Sequence, residues 1–148
     1  MSARVVSAIG AQALAPRARV AGEPIRVGSL SPDFRSHPVA FFMEPVLSHH
    51  DNSAFEILGY GINQRLDDTG QKLVDHLDHW RHSAHLNDDE LVRQIRADGI
   101  DILVDLGGYT ATSRMSVLAR RAAPVLVGYL GYHCTTGMPE MDFIIGDE

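Results

Sequence analysis

Ile25-Arg26-Val27-Gly28-Ser29-Leu30 runs into Ser31-Pro32-Asp33-Phe34-Arg35-Ser36-His37-Pro38, and Asp101-Ile102-Leu103-Val104-Asp105-Leu106 runs into Gly107-Gly108-Tyr109-Thr110. Both stretches pass from a largely apolar strand to a short loop of glycine, hydroxyl, carboxylate or imidazole groups. Open α/β sheets bind ligands in loops that leave the carboxyl ends of their strands. These two endings set the fold expectation and the place to look for function.

Working outward, Pro38 is suited to the first position of a helix, where its missing N–H would be unpaired anyway. Val39, Phe42, Met43, Val46, Leu47 and His50 recur at helical spacing and predict its apolar stripe, with Pro45 expected to kink or shorten it. Phe55 to Tyr60 reads as a strand, and Asp67-Asp68-Thr69 ahead of Leu73, Val74 and Leu77 as a helix start. The stretch around Trp80 is ambiguous. Asn87 with Glu90 forms a capping box, Leu91, Val92 and Ile95 give the buried face, and Gly99 is the stop.

Ile100 to Leu106 is nearly continuous in apolar residues, the pattern of a strand covered on both faces. Met115, Leu118 and Ala122 predict another helix, closed by Arg120, Arg121 and Pro124; Val125 to Leu130 predicts a strand, and Phe143 to Ile145 one more. Alternating strands and helices at this spacing imply βαβ crossovers, hence a Rossmann-like parallel sheet with helices on both faces.

The chain has 148 residues, enough for one core of ordinary size. Nineteen acidic and 13 basic side chains give a net charge of -6, which argues against a nucleic-acid partner. Cys134 is the only cysteine, so no disulfide framework or thiolate metal cluster exists, and a cytosolic setting fits. No apolar run approaches the roughly 20 residues that cross a bilayer, so no membrane association is expected. Residues 1–24 read as a linker or flexible segment, although Arg4, Arg17 and Arg19 with no acid before Glu23 faintly resemble a transit peptide. Asp142-Phe143-Ile144-Ile145 followed by Gly146-Asp147-Glu148 reads as a unit cut before its closing helix.

His37 lies between a strand end and a helix start, where an imidazole can orient a hydroxyl, accept its proton, or simply cap the helix. Asp33 can fix that imidazole or shape the turn. Gly107 and Gly108 permit either a close ligand or a tight turn, and Tyr109 and Thr110 add a ring and hydroxyls. Arg114 can meet a phosphate or form a surface salt bridge, the latter being favoured. Gly128-Tyr129-Leu130-Gly131-Tyr132-His133-Cys134-Thr135-Thr136-Gly137 is a third strand end, rich in small and hydroxyl residues. His76, His79, His82 and His85 recur every third residue, but on a helix such a set spirals away, so no metal site is expected. GxGxxG, GxxxxGK[ST] and GxSxG motifs are absent.

IRVGSLSPDFRSHPV, DGIDILVDLGGYT and RRAAPVLVGYLGYHCTTGMPEMDFIIGDE together resemble the catalytic region of the O-linked N-acetylglucosamine transferase family, which includes SPINDLY-like bacterial proteins. The resemblance covers about residues 25–148. It implies part of the N-terminal lobe of a two-lobed GT-B type enzyme, usually preceded by tetratricopeptide (TPR) repeats. Such enzymes are inverting and metal-independent, and move N-acetylglucosamine from UDP to protein serine or threonine hydroxyls. UDP-GlcNAc is then the donor substrate, no cofactor is needed, and a protein or peptide is the acceptor.

By the same resemblance His37 matches the histidine of the family's His-Pro motif, near the sugar and positioned to act as base. Gly108, Tyr109 and Thr110 match the Gly-Tyr-Thr or Gly-His-Thr loop, and Leu130, Gly131 and Thr136 the loop on the sugar and acceptor side. Gly131-Tyr132-His133 departs from the family's common Gly-Tyr-Pro, which bears on donor and acceptor preference. The second lobe, holding most uridine and diphosphate contacts in the family, is absent from this sequence, so the isolated chain is expected to be inactive. A noncatalytic α/β interaction module and a glycosyltransferase using another sugar nucleotide are the alternatives.

Overall fold

A computed structural model describes residues 14–110, 112–132 and 134–146. Its elements are β1 (Ile25–Ser31), α1 (Pro38–Ser48), β2 (Phe55–Gly61), α2 (Asp68–Asp75), β3 (His79–His82), α3 (Asp88–Ala97), β4 (Ile102–Asp105), α4 (Met115–Ala119), β5 (Val125–Tyr129) and β6 (Phe143–Ile145). The strands form one sheet in the order β3-β2-β1-β4-β5-β6, with every pair parallel. The winding direction reverses between β1 and β4, and such a switch point leaves a crevice outside the carboxyl ends of the two strands. The loops after β1, β4 and β5 leave from neighbouring strands on that one rim.

Both sheet faces are covered, as the near-continuous apolar strands require. Leu91, Val92 and Ile95 of α3 and Val117 and Leu118 of α4 pack with Leu30, Leu58, Tyr60, Leu103 and Leu126 on one face. Val39, Ala40, Met43 and Leu47 of α1 and Leu73 of α2 pack with Ile57 and Leu106 on the other. The predicted α1 stripe is corrected here: Phe42 and Val46 are 63% and 47% exposed, and Ala40 takes a buried place instead. The helix also runs three residues past Pro45. The carbonyl that Pro45 leaves unpaired belongs to Phe41, which is exposed, so water can satisfy it.

Two other expectations change. The ambiguous stretch at Trp80 is the edge strand β3, so His79 and His82 lie on a strand rather than a helix. Gly59 and Gly61 of β2 clear the floor on which Trp80 lies, since a Cβ at Gly61 would collide with the indole. The helix predicted through Ala122 ends at Ala119, because Arg121 adopts φ 51° and turns the chain toward β5. The Asn87–Glu90 capping box forms as predicted, and Gly99 closes that segment at φ 66°.

The amino-terminal rim holds a repeated device. Asp78, Asp101 and Asp142 each immediately precede a strand, and each bonds twice to one residue of the neighbouring strand. Their backbone N–H groups donate to the carbonyls of Ile57, Arg26 and Leu126, and their carboxylates accept the N–H groups of the same three residues at 2.7, 2.9 and 2.8 Å. Arg17 anchors residues before β1 by bonding to Asp101 at 3.1 Å and to Glu23 at 2.5 Å. The two sheet edges differ: β3 carries His79, Arg81 and His82, whereas Phe143, Ile144 and Ile145 of β6 are 63%, 50% and 52% exposed.

Candidate functional site

The β1 loop begins with a turn fixed by its own side chains. Ser31 Oγ accepts the Asp33 N–H at 2.9 Å, and both residues are buried. Arg35 donates to Asp33 Oδ1 at 3.0 Å, while Asp33 Oδ2 faces His37 Nδ1 at 3.7 Å. His37 is the N-cap of α1: its Nδ1 accepts the Val39 N–H at 3.3 Å. The capping role weighed for His37 is thus present, leaving its ring about one-third exposed at the rim.

The β2–α2 loop backs this loop from behind. Asn63 donates to the Phe34 carbonyl at 3.2 Å, and Asp67 accepts the Ser36 N–H at 2.7 Å while also capping α2 through the Gly70 N–H. Those two backbone bonds, Ser36 first, hold the Asp67 carboxyl below the usual carboxylate range. Gly70 is obligatory there, since a Cβ would run into the Phe34 carbonyl.

The β4 loop turns over the buried Asp105, whose Oδ1 and Oδ2 accept the N–H groups of Gly107 and Gly108 at 3.1 and 2.8 Å. Burial pushes the Asp105 carboxyl upward, outweighing those two bonds. Gly108 adopts φ 55°, and a Cβ there would overlap Tyr132 Cβ, so the turn alone accounts for the glycine. The rings of Tyr109 and Tyr132 meet edge to face at 5.8 Å. Thr110 is exposed, and its carbonyl accepts the Ser113 N–H at 3.1 Å. Arg114 pairs with Asp88 at 2.6 Å and donates to the Leu86 carbonyl, which agrees with the salt-bridge reading.

The β5 loop is the strained one. The strand predicted to reach Leu130 stops at Tyr129, because Leu130 adopts φ 61° and the Gly131 N–H folds back onto the Tyr129 carbonyl at 2.8 Å. A branched residue at positive φ is rare and is maintained only where its surroundings enforce it. Gly131 lies so close to the Leu106 carbonyl that no Cβ fits. Thr136 is buried, and its Oγ1 accepts the Met138 N–H of its own turn at 3.5 Å. His133, the departure from the family's proline, lies outside the described residues.

The structure therefore brings Gly108 and Tyr109 against Tyr132, and Gly131 against the β4 loop. A Cβ at Gly107 would sit 3.4 Å from Pro32 Cδ, so the β1 and β4 loops also adjoin. His37 shares the rim, but its polar contacts stay within its own loop and helix. A groove of about 580 Å³ beside the rim is lined by Phe42, Leu130, Tyr132 and Ile144 and does not reach His37, Thr110 or Thr136. Asp33 shapes its turn, as weighed from sequence, and faces the imidazole; Asp67 and Asp105 shape the site without having been assigned to it from sequence, the Asp105-Leu106-Gly107-Gly108 spacing being the available signal. Among the described residues no cluster of three or more histidine, cysteine or carboxylate groups could hold a metal ion. His79 bonds to Glu56 at 2.8 Å, and the His82 and His85 rings stack at 6.2 Å.

The chain is 35% identical over 128 residues to a probable UDP-N-acetylglucosamine–peptide N-acetylglucosaminyltransferase SPINDLY of Arabidopsis thaliana, covering 84% of the chain and 14% of that protein. It is 34% identical over 129 residues to the UDP-N-acetylglucosamine–peptide N-acetylglucosaminyltransferase of Caenorhabditis elegans, covering 85% of the chain and 11% of that protein. A point mutant of the Thermobaculum terrenum O-GlcNAc transferase superposes with a TM-score of 0.93 at 37% identity, over 99% of this chain and 28% of that one. Residues 6–148 match the profile of glycosyl transferase family 41, and the chain belongs to that family.

Proposed function

We propose that this chain supplies part of the N-terminal lobe of an inverting transferase that moves N-acetylglucosamine from UDP to protein serine or threonine hydroxyls. The observation that carries the reading is the convergence of the β1, β4 and β5 loops at the switch point of a family 41 sheet. His37 orients the acceptor hydroxyl and takes its proton as the oxygen attacks the anomeric carbon, while the C–O bond to the diphosphate breaks and UDP leaves with the electron pair. Gly108, Tyr109 and Thr110 line the donor, and Leu130, Gly131 and Thr136 the sugar and acceptor side. Their close-packed backbone fixes these groups before substrate arrives.

On this reading stabilisation of the leaving diphosphate is assigned mainly to donors on a second lobe, Arg35 beside the rim being already engaged with Asp33 through one nitrogen. On this reading UDP-GlcNAc is a substrate and no cofactor takes part. The partners are the acceptor protein, the second lobe and upstream TPR repeats, and the setting is cytoplasmic. No helix among the described residues is long and apolar enough to cross a membrane.

Transfer assayed on the full-length protein with a panel of UDP and GDP sugars tests the proposal. UDP-GlcNAc should be turned over, and a folded His37→Ala protein should lose about 10²- to 10⁴-fold in rate. Unchanged transfer by that variant removes the base role, and no transfer from any donor favours a noncatalytic module. His133 in place of proline favours one further reading, a different donor sugar, which preferential turnover of another nucleotide in the panel would establish.

A further inference from the structure

Building on the assignment of His37 as the group that takes the acceptor's proton, we propose that Asp33 is a positioning residue that selects the imidazole tautomer able to do so. An imidazole nitrogen that accepts a hydrogen bond carries no proton. Since Nδ1 accepts the Val39 N–H, the neutral ring in this state has its proton on Nε2. The exposed side of the ring can then only donate, and it is the wrong form for taking a proton from a hydroxyl.

The competent form needs its proton on Nδ1 and an acceptor in place of the Val39 N–H. Asp33 Oδ2 lies 3.7 Å from Nδ1, about 0.9 Å beyond a charge-assisted hydrogen bond. The carboxylate is held in place: its residue is 7% exposed, its N–H is tied to Ser31 and its Oδ1 to Arg35. The capping bond that must be given up is 3.3 Å long, beyond the usual range, so a short ring movement exchanges a weak neutral bond for a stronger ionic one. An acceptor hydroxyl donating to Nε2 favours the same exchange, because only the Nδ1–H form can receive it. Acceptor binding and tautomer choice are thereby coupled.

Two measurements on the full-length protein test this. In transfer assays Asp33→Asn should lower kcat at least about 10-fold, short of the roughly 10⁴-fold loss seen when a buried tautomer-fixing carboxylate is amidated. UDP-GlcNAc binding and acceptor KM should stay within about twofold, and Asp33→Glu should recover part of the loss. Wild-type kcat in Asp33→Asn, or loss of donor binding together with kcat, overturns the proposal. Ring-¹⁵N histidine NMR gives a readout independent of transfer. His37 should show both N–H forms in the wild type and only the Nε2–H form in Asp33→Asn; an Nδ1–H share of zero, or one unmoved by the substitution, overturns it. If the wild type transfers no sugar the proposed function fails, and the NMR result alone decides the part played by Asp33.

Discussion

At the amino-terminal rim, Asp78, Asp101 and Asp142 bond backbone to backbone and side chain to backbone with the adjoining strand, whereas at the carboxyl-terminal rim Asp33 and Asp105 bond within their own loops. The first group fixes how neighbouring strands align. The second bends chain away from the sheet and holds glycine, imidazole and hydroxyl groups over the crevice. One residue type thus does two jobs, and the position relative to the strand decides which. The carboxylates just before a strand reach the next strand's N–H, while Asp33 and Asp105, at or just past a strand's carboxyl end, accept from the chain that turns over them.

This contrast can be broken most severely at Gly131. Replacement by alanine forces a Cβ into the Leu106 carbonyl and should destabilise the chain by about 3 kcal/mol in urea denaturation. A loss below about 1 kcal/mol would mean that the β4 and β5 loops are not packed as described. Next comes the opposite rim, where Asp101→Ala strips the Arg26 N–H of its side-chain acceptor, leaves Arg17 only Glu23 and the Pro24 carbonyl, and should cost about 2 kcal/mol. Asp101→Asn, which keeps a carbonyl, should cost clearly less; equal costs would show that alignment does not depend on the accepted N–H.

Smaller effects distinguish the two rims by pH. For Asp142, burial alone would raise the carboxyl, but the bonds from Arg121 and from the Leu126 N–H outweigh it and the net direction is down. Its stabilisation is complete above the ordinary carboxylate range and is lost as pH falls from about 4 toward the lower folded value. Asp142→Asn should therefore flatten the acid limb of a stability–pH curve. Asp105 has the reverse sign: burial raises its carboxyl, so its contribution declines as pH rises from about 4 through the folded value. Asp105→Asn, which does not titrate, should gain on the wild type across that window, on top of a constant loss because the amide oxygen replaces only one of two accepted bonds. Parallel curves for the two variants would erase the distinction.

Much of the architecture was legible because its signals are local. Asn87 and Glu90 announce their helix, Pro38 opens another, and the apolar runs of β1, β2 and β4 can be satisfied only under cover on both faces. β3 was not legible, since its run of histidine, tryptophan and arginine owes its extended form to glycines 19 to 21 residues earlier on β2. Phe42 and Val46 fit the helical period yet face outward, because periodicity identifies a stripe without saying which edge of it meets the sheet. At the site, His37 and the glycine loops were visible as strand endings. The backing of the β1 loop by Asp67 and Asn63, and the positive φ of Leu130, arise from contacts between segments and have no signature in any one of them.

The unequal sheet edges carry a practical corollary for anyone purifying these 148 residues. An edge strand bearing charge resists the addition of foreign strands, and one bearing only apolar side chains invites it. Crowding a preparation should therefore promote self-association through Phe143, Ile144 and Ile145 rather than through the edge that carries Arg81, and a lysine substituted into that trio should lower it.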